Sequence, residues 1–238
     1  MNRLLVVGAT SDLAKSFMSS IENDDVQVDV LVRNPDKLLK SQLSIIKSVH
    51  VFDLNKLDDL VNFNPDVKYS SIIFFQGIDI IKPFVLYTIQ NIVETFNINI
   101  LSTISLLNIL ISKKCINKGA SIILISSISG LTKGTPGHVI YSSSKAASNG
   151  LVKSLSLELS KRKIRINSIS PGLIQTESLF NKNNDILSNE KRKDYSDKYP
   201  LGIGEADSLN GTIKFLFDNS SQWITGQNII VDGGNSNM

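Results

Sequence analysis

RLLVVGATSDLA, residues 3–14, joins a strand, a turn and the start of a helix with nothing between them. The branched apolar run up to Val7 reads as a buried strand, Gly8 permits a tight turn, and Leu13, Phe17 and Ile21 recur at helical spacing. A strand turning through glycine directly into a helix presents backbone N–H groups and the positive end of a helix dipole to a pyrophosphate. A glycine that serves only the turn would look the same, so this stretch needs support from the rest of the chain.

The same alternation continues along the 238 residues. Val- and Ile-rich runs at 3–7, 26–32, 49–52, 71–75, 121–126, 164–169 and 228–231 read as buried strands. Helical spacing separates them, in Leu57, Leu60 and Val61 and in the longer segments 88–112 and 140–161. Strands alternating with helices predict an α/β fold: a doubly wound parallel sheet of about seven strands, in a single domain over 1–238. No repeat or linker interrupts it. A polar stretch at about 177–199, Asn- and Lys-rich from 181, reads either as a mobile flap or as a solvated insertion. Segment 91–112 is apolar nearly all round as a helix, so it is covered either by its own chain or by a second subunit.

Composition narrows the function classes. A net charge of +3 from 25 basic and 22 acidic residues is too balanced for a nucleic-acid binder, and KRKIR at 161–165 reads as the cationic end of a helix. One cysteine, Cys115, excludes a disulfide within the chain, and with only His50 and His138 beside it a dedicated zinc site is not expected. No uninterrupted apolar run reaches the ~18 residues of a membrane span, and the opening apolar run is too short for a signal peptide. A cytoplasmic protein without nucleic-acid or membrane partners is expected.

YSSSK, 141–145, places a phenol and an ammonium four positions apart, on one face of the 140–161 helix. Alone, such a pair arises readily by accident. It stands, however, in order with VGATSDLA at 7–14, NI at 99–100, ILISS at 123–127, NSISPGLIQT at 167–176 and ITGQNIIVDGG at 224–234. Together these motifs resemble the short-chain dehydrogenase/reductase family across nearly the whole chain, and within it the short, 3-oxoacyl-carrier-protein reductase-like members, which have a Rossmann-type fold. The glycine-rich loop departs from the family pattern at Val7, Asp12 and Ala14. FQGI at 75–78 departs at Phe75 and Gln76 from the family's Asn-Ala-Gly-Ile and keeps Gly77. Asp12 brings a carboxylate to a pyrophosphate site and is expected to turn aside, as a helix cap.

The resemblance implies that Tyr141 is the acid/base, that Lys145 favours its phenolate and holds the nicotinamide ribose, that Ser127 hydrogen-bonds the substrate oxygen, and that Asn99 supports a proton relay. It further implies dinucleotide contacts from Gly8, Thr10, Ser11, Asp12, Leu13, Asp53, Leu54, Gly77, Pro171, Gly172, Ile174 and Thr176, besides Tyr141 and Lys145. A carbonyl reduction delivers hydride to carbon and a proton to oxygen in one geometry. An ordinary phenol titrates near 10, so poising it near neutrality requires a favourable charge beside it. Strand 26–32 ends at Val32, which cannot accept the ribose hydroxyl bond of an NAD enzyme, whereas Arg33 could pair with a 2′-phosphate. NADP(H) is therefore expected in preference to NAD(H), with a small carbonyl or alcohol as substrate, as in 3-oxoacyl, sugar or polyketide chemistry. A homodimer or homotetramer is expected. Enoyl-type reductases resembling the family space Tyr and Lys more widely than four. The alternative is a cofactor-binding, non-catalytic scaffold of the same fold.

Overall fold

Parallel pairing joins seven strands into one sheet in the computed structural model, which describes residues 2–22, 24–176 and 197–238. The strands are β1 (Asn2–Val7), β2 (Val26–Val32), β3 (Ile46–Val51), β4 (Tyr69–Phe74), β5 (Ile116–Ile125), β6 (Arg165–Pro171) and β7 (Asn228–Val231). They lie in the order β3-β2-β1-β4-β5-β6-β7. All seven expected strands are present, several with ends shifted by a few residues. Strand order reverses between β1 and β4, and in such sheets ligands bind in the crevice beyond the strands' carboxyl ends.

Both faces of the sheet are buried, which is why the strands read as unbroken apolar runs. Leu5, Val7, Leu31, Ile72 and Phe74 face one core; Leu4, Val6, Val28, Val30 and Ile73 face the other. The first core is closed by Leu106, Leu107 and Leu110 of α3 (Ser102–Ser112) and Val152 of α4 (Val139–Leu159). The second is closed by Phe17 and Met18 of α1 (Asp12–Ser20) and by Ile213 and Leu216 of α5 (Asn210–Phe217).

Before α3 runs α2 (Ile89–Phe96), started by a capping box between Thr88 and Asn91, and a π turn over Asn97–Leu101 joins the two. The combined helix, Ile89–Ser112, is by length and composition long and apolar enough to cross a membrane, although residues such as Asn99 and Thr103 interrupt its apolar run. Half of its most apolar window is buried inside the fold. Of the two coverings considered for this segment, the chain itself therefore supplies one side.

One expected helix does not form. Leu57, Leu60 and Val61 lie in a 3₁₀ turn, Leu57–Asn62, with Leu60 buried and Val61 exposed. Pro65 bars the α conformation at the residue before it, leaving no room for further turns. KRKIR behaves as expected: Lys161 and Arg162 end a 3₁₀ turn that follows α4, and β6 begins at Arg165. Of the polar segment, residues 177–196 lie outside the described residues; Tyr199 beyond them is buried, and its hydroxyl accepts from Leu173 N at 2.9 Å.

A charged cluster lies inside the first core. Asp29 is 1% exposed and takes Arg3 Nε at 3.0 Å and the Tyr69 hydroxyl at 3.0 Å on Oδ2. Burial, with Asp29 beside it, pushes the Tyr69 hydroxyl far above its usual range, so it stays a donor. Removing one member of such a buried set leaves its partners uncompensated. Asp29→Ala should therefore lower the unfolding free energy by about 3–5 kcal/mol in urea titrations. A loss under ~1 kcal/mol would show that the cluster holds nothing together.

Candidate active site

Chemistry-bearing residues gather where β4 and β5 end. Beyond β5, Ser126 and Ser127 leave the sheet, and a 3₁₀ turn over Ile128–Gly130 returns the chain toward α4. A Cβ at Gly130 would sit 2.6 Å from Ala146 N, so this turn packs directly on the α4 backbone. The Ser126 hydroxyl fastens the same contact by donating to Lys145 O at 3.0 Å. Tyr141 and Lys145, one helical turn apart on α4, thus face the ends of the strands.

A cavity of about 290 Å³ runs along these ends. Its end at the start of α1 is formed by Ser11, Asp12 and Leu13, and its other end by Ser127, Tyr141 and Lys145. Gly77, Pro171, Gly172, Ile174 and Thr176 lie along the walls. Eleven of the residues expected from the sequence therefore share one cavity. Gly8, Thr10, Arg33, Asp53, Leu54 and Asn99 do not line it. Leu54 packs in the core, and Asp53 Oδ1 accepts from Asn55 N at 3.1 Å in a turn after β3. Arg33 is exposed, one residue past β2.

The start of α1 fits a pyrophosphate. Gly8 has φ of +77°, and a Cβ there would lie 2.7 Å from Gln76 N, so no other residue would let the two strand ends approach so closely. Ser11, and not Asp12, caps the helix: its Oγ accepts from Ala14 N at 3.2 Å. Asp12 stays in the first helical turn and lines the cavity, so the expected role as cap is corrected. Phe75 and Gln76, the other departures, take structural parts. Phe75 packs on Phe17 with ring centroids 5.9 Å apart, and the buried Gln76 donates through Nε2 to Thr103 Oγ1 at 2.7 Å.

Asn99 lies behind the cavity. The π turn sets Ile98, Asn99 and Ile100 inward together. Its carboxamide accepts from Ile78 N at 2.8 Å and donates to Ile78 O at 3.0 Å and to Ser144 Oγ at 2.9 Å. Gly77 separates it from the ammonium, for a Cβ there would meet Lys145 Nζ at 3.1 Å.

Burial dominates the two titrating groups. It pushes the Tyr141 hydroxyl up to about 12; the hydrogen bond with Ser127 opposes the rise and the charge of Asp79 adds to it. It pushes the Lys145 ammonium down to about 8, opposed by Asp79. Lys145 Nζ donates to Ile125 O at 2.8 Å and lies 5.9 Å from the centre of the Tyr141 ring. In this geometry Lys145 is engaged by the β5 carbonyl, and the phenol gains its relief from Ser127. The expected poise near neutrality thus requires further positive charge, which an oxidised nicotinamide in the cavity would carry.

Sequence reasoning missed Asp79. It lines the cavity, with Ile78 and Ile81 beside it, and its Oδ2 lies 2.9 Å from His138 Nδ1. Its only signal was its place, two residues after Gly77.

Comparison with known proteins bears on the whole arrangement. A family model described as enoyl-(acyl carrier protein) reductase matches residues 65–236, more than half of the chain. The 3-oxoacyl-[acyl-carrier-protein] reductase FabG of Aquifex aeolicus is 28% identical over 97% of this chain and 86% of its own length. The 7alpha-hydroxysteroid dehydrogenase of Bacteroides fragilis is 34% identical over 59% of this chain, which spans about half (53%) of that relative's length. Among solved structures, a short chain dehydrogenase family protein from Francisella tularensis superposes with a TM-score of 0.88 at 25% identity, covering both chains fully. A 4-hydroxyisoleucine dehydrogenase complexed with NADH gives 0.82 at 25% identity, also over both full lengths. With its parallel sheet and the cavity at its switch point, this chain belongs to the short-chain dehydrogenase/reductase family.

Proposed function

We propose that the chain is an NADP(H)-preferring oxidoreductase that interconverts a secondary alcohol and a ketone. The observation that carries this reading is the convergence of Ser127, Tyr141 and Lys145 on a cavity that also reaches the first turn of α1. A dinucleotide laid along it supplies the hydride. Ser127 holds the substrate oxygen, and Tyr141 gives it the proton; a hydroxyl that stays protonated suits the reductive direction. Lys145 has donors to spare beyond Ile125 O and turns them to the ribose. Asn99, locked to Ile78 and Ser144, holds the loop after β4 against α4 and supports proton resupply from behind. The spacing of four between Tyr141 and Lys145 favours a carbonyl over an enoyl substrate, and the FabG relative favours a 3-oxoacyl or related ketone.

The preference for NADP(H) rests on β2. Val32 is buried at its end, the position of the ribose-binding acid in NAD enzymes, and the exposed Arg33 follows. One solved relative of this fold holds NADH and another holds NADP, so the fold admits either dinucleotide.

Assembly belongs to the same reading. Ile89, Val93, Leu101 and Ile104 keep an exposed apolar stripe on the α2–α3 helix, and Leu157 stands out from α4. Trp223 is 97% exposed in the loop before the edge strand β7. Two such surfaces suit a dimer of dimers.

Tyr141→Phe should bind the dinucleotide as the wild type does and lose at least about 100-fold in kcat, because only the transferable proton is removed. Unchanged turnover in that variant would reject Tyr141 as the proton donor. Arg33→Ala should cut the ratio of kcat/KM for NADPH over NADH by about 10- to 100-fold, the value of one charged hydrogen bond. A wild type that prefers NADH would show that Arg33 reads no phosphate. Light scattering at micromolar concentration should give a dimer or tetramer of the 26.2 kDa chain, and a monomer would contradict the assembly.

A further inference from the structure

Asp79 stands in the wall of the cavity that the proposed reaction uses, and the wall is braced. The Tyr87 hydroxyl reaches the carbonyls of both Ile80 and Gly137, and Lys82 N donates to Gly137 O at 3.1 Å. These bonds tie segment 78–87 to the turn that enters α4. His138 sits at that turn, its ring 6.1 Å from the Tyr141 ring and its Nδ1 2.9 Å from Asp79 Oδ2. The Asp79 side chain is 32% exposed and lines the cavity.

Among the described residues, the other charges lining the cavity are Asp12, at the start of α1, and Lys145. Lys145 is held by Ile125 O and, in the proposed reaction, by the ribose. Among the described residues no free cation would answer a substrate carboxylate that met Asp79, whereas a hydroxyl or ammonium would meet an acceptor.

We infer that Asp79 determines specificity, selecting ketones and alcohols that carry a hydrogen-bond donor, a hydroxyl or an ammonium, on the second carbon from the reacting carbon and rejecting those with a carboxylate there. The inference rests on the reductase reading and deepens it by naming the substrate class.

The test compares four ketones, pentan-2-one, 4-hydroxybutan-2-one, 4-aminobutan-2-one and 4-oxopentanoate, with the full chain and its preferred reduced dinucleotide. The wild type should favour the hydroxyl and amino ketones over 4-oxopentanoate by about tenfold or more in kcat/KM. Asp79→Asn should bring the four to within about threefold of one another, and His138→Gln should keep or widen the wild-type spread. A faster amino than hydroxyl ketone assigns the donor as a cation, and the reverse order as a neutral hydroxyl; both support the inference. A wild type that does not distinguish the charges, or an Asp79→Asn enzyme with the full spread, overturns it and leaves the reductase reading intact. Turnover of none of the four ketones by a chain that binds dinucleotide overturns the reductase reading, and the inference with it.

Discussion

The Asn99 carboxamide holds the site together. It fills both hydrogen-bonding positions of Ile78, beyond β4, and reaches Ser144 on α4, so that one side chain fixes the sheet's exit loop against the helix that carries Tyr141 and Lys145. The π turn makes this possible: Ser102 N bonds Asn97 O, five residues back, and the wider turn sets Asn99 into the interior. In a regular α-helix the same polar residue would disturb an apolar segment. Here the segment's irregularity and its polar residue explain each other.

The same packing removes water from two groups whose chemistry depends on charge. With no other influence, burial would leave a phenol too weakly acidic and an ammonium too weakly basic for their proposed parts. Ser127 eases the first, Asp79 supports the second, and Asp79 also opposes ionisation of the first. The site is therefore set for proton donation, and a positively charged ring in the cavity would shift it toward proton acceptance. In the proposed alcohol–ketone reaction one geometry would serve both directions, with the cofactor's charge selecting between them.

Most of the sheet was legible because strands buried on both faces leave unbroken Val and Ile runs, as in 121–126 and 164–169. The Tyr141–Lys145 pair was legible because helical spacing alone places i and i+4 on one face. The 57–62 segment misled: spacing of Leu57, Leu60 and Val61 cannot show that Pro65 leaves space for a single 3₁₀ turn. Asp12 misled for a different reason, since two adjacent residues, Ser11 and Asp12, are both good caps and sequence does not rank them. Asp79 and His138 stayed hidden because they meet across a separation of 59 residues, through a loop contact that no periodicity encodes.

In the proposed reaction the dinucleotide's ribose engages Lys145, a buried ammonium held by Ile125 O and pushed down to about 8 by burial. Its pH dependence has a definite sign. Below about 8 the ammonium is present and donates; above it the amine loses one donor and its charge, while with the reduced, uncharged nicotinamide Tyr141 stays neutral throughout. Dinucleotide dissociation constants measured by fluorescence from about pH 6.5 to about pH 9.5 should therefore weaken roughly tenfold as pH rises, and Lys145→Met should bind weakly and without that slope. Wild-type affinity that is flat across the window would contradict the account.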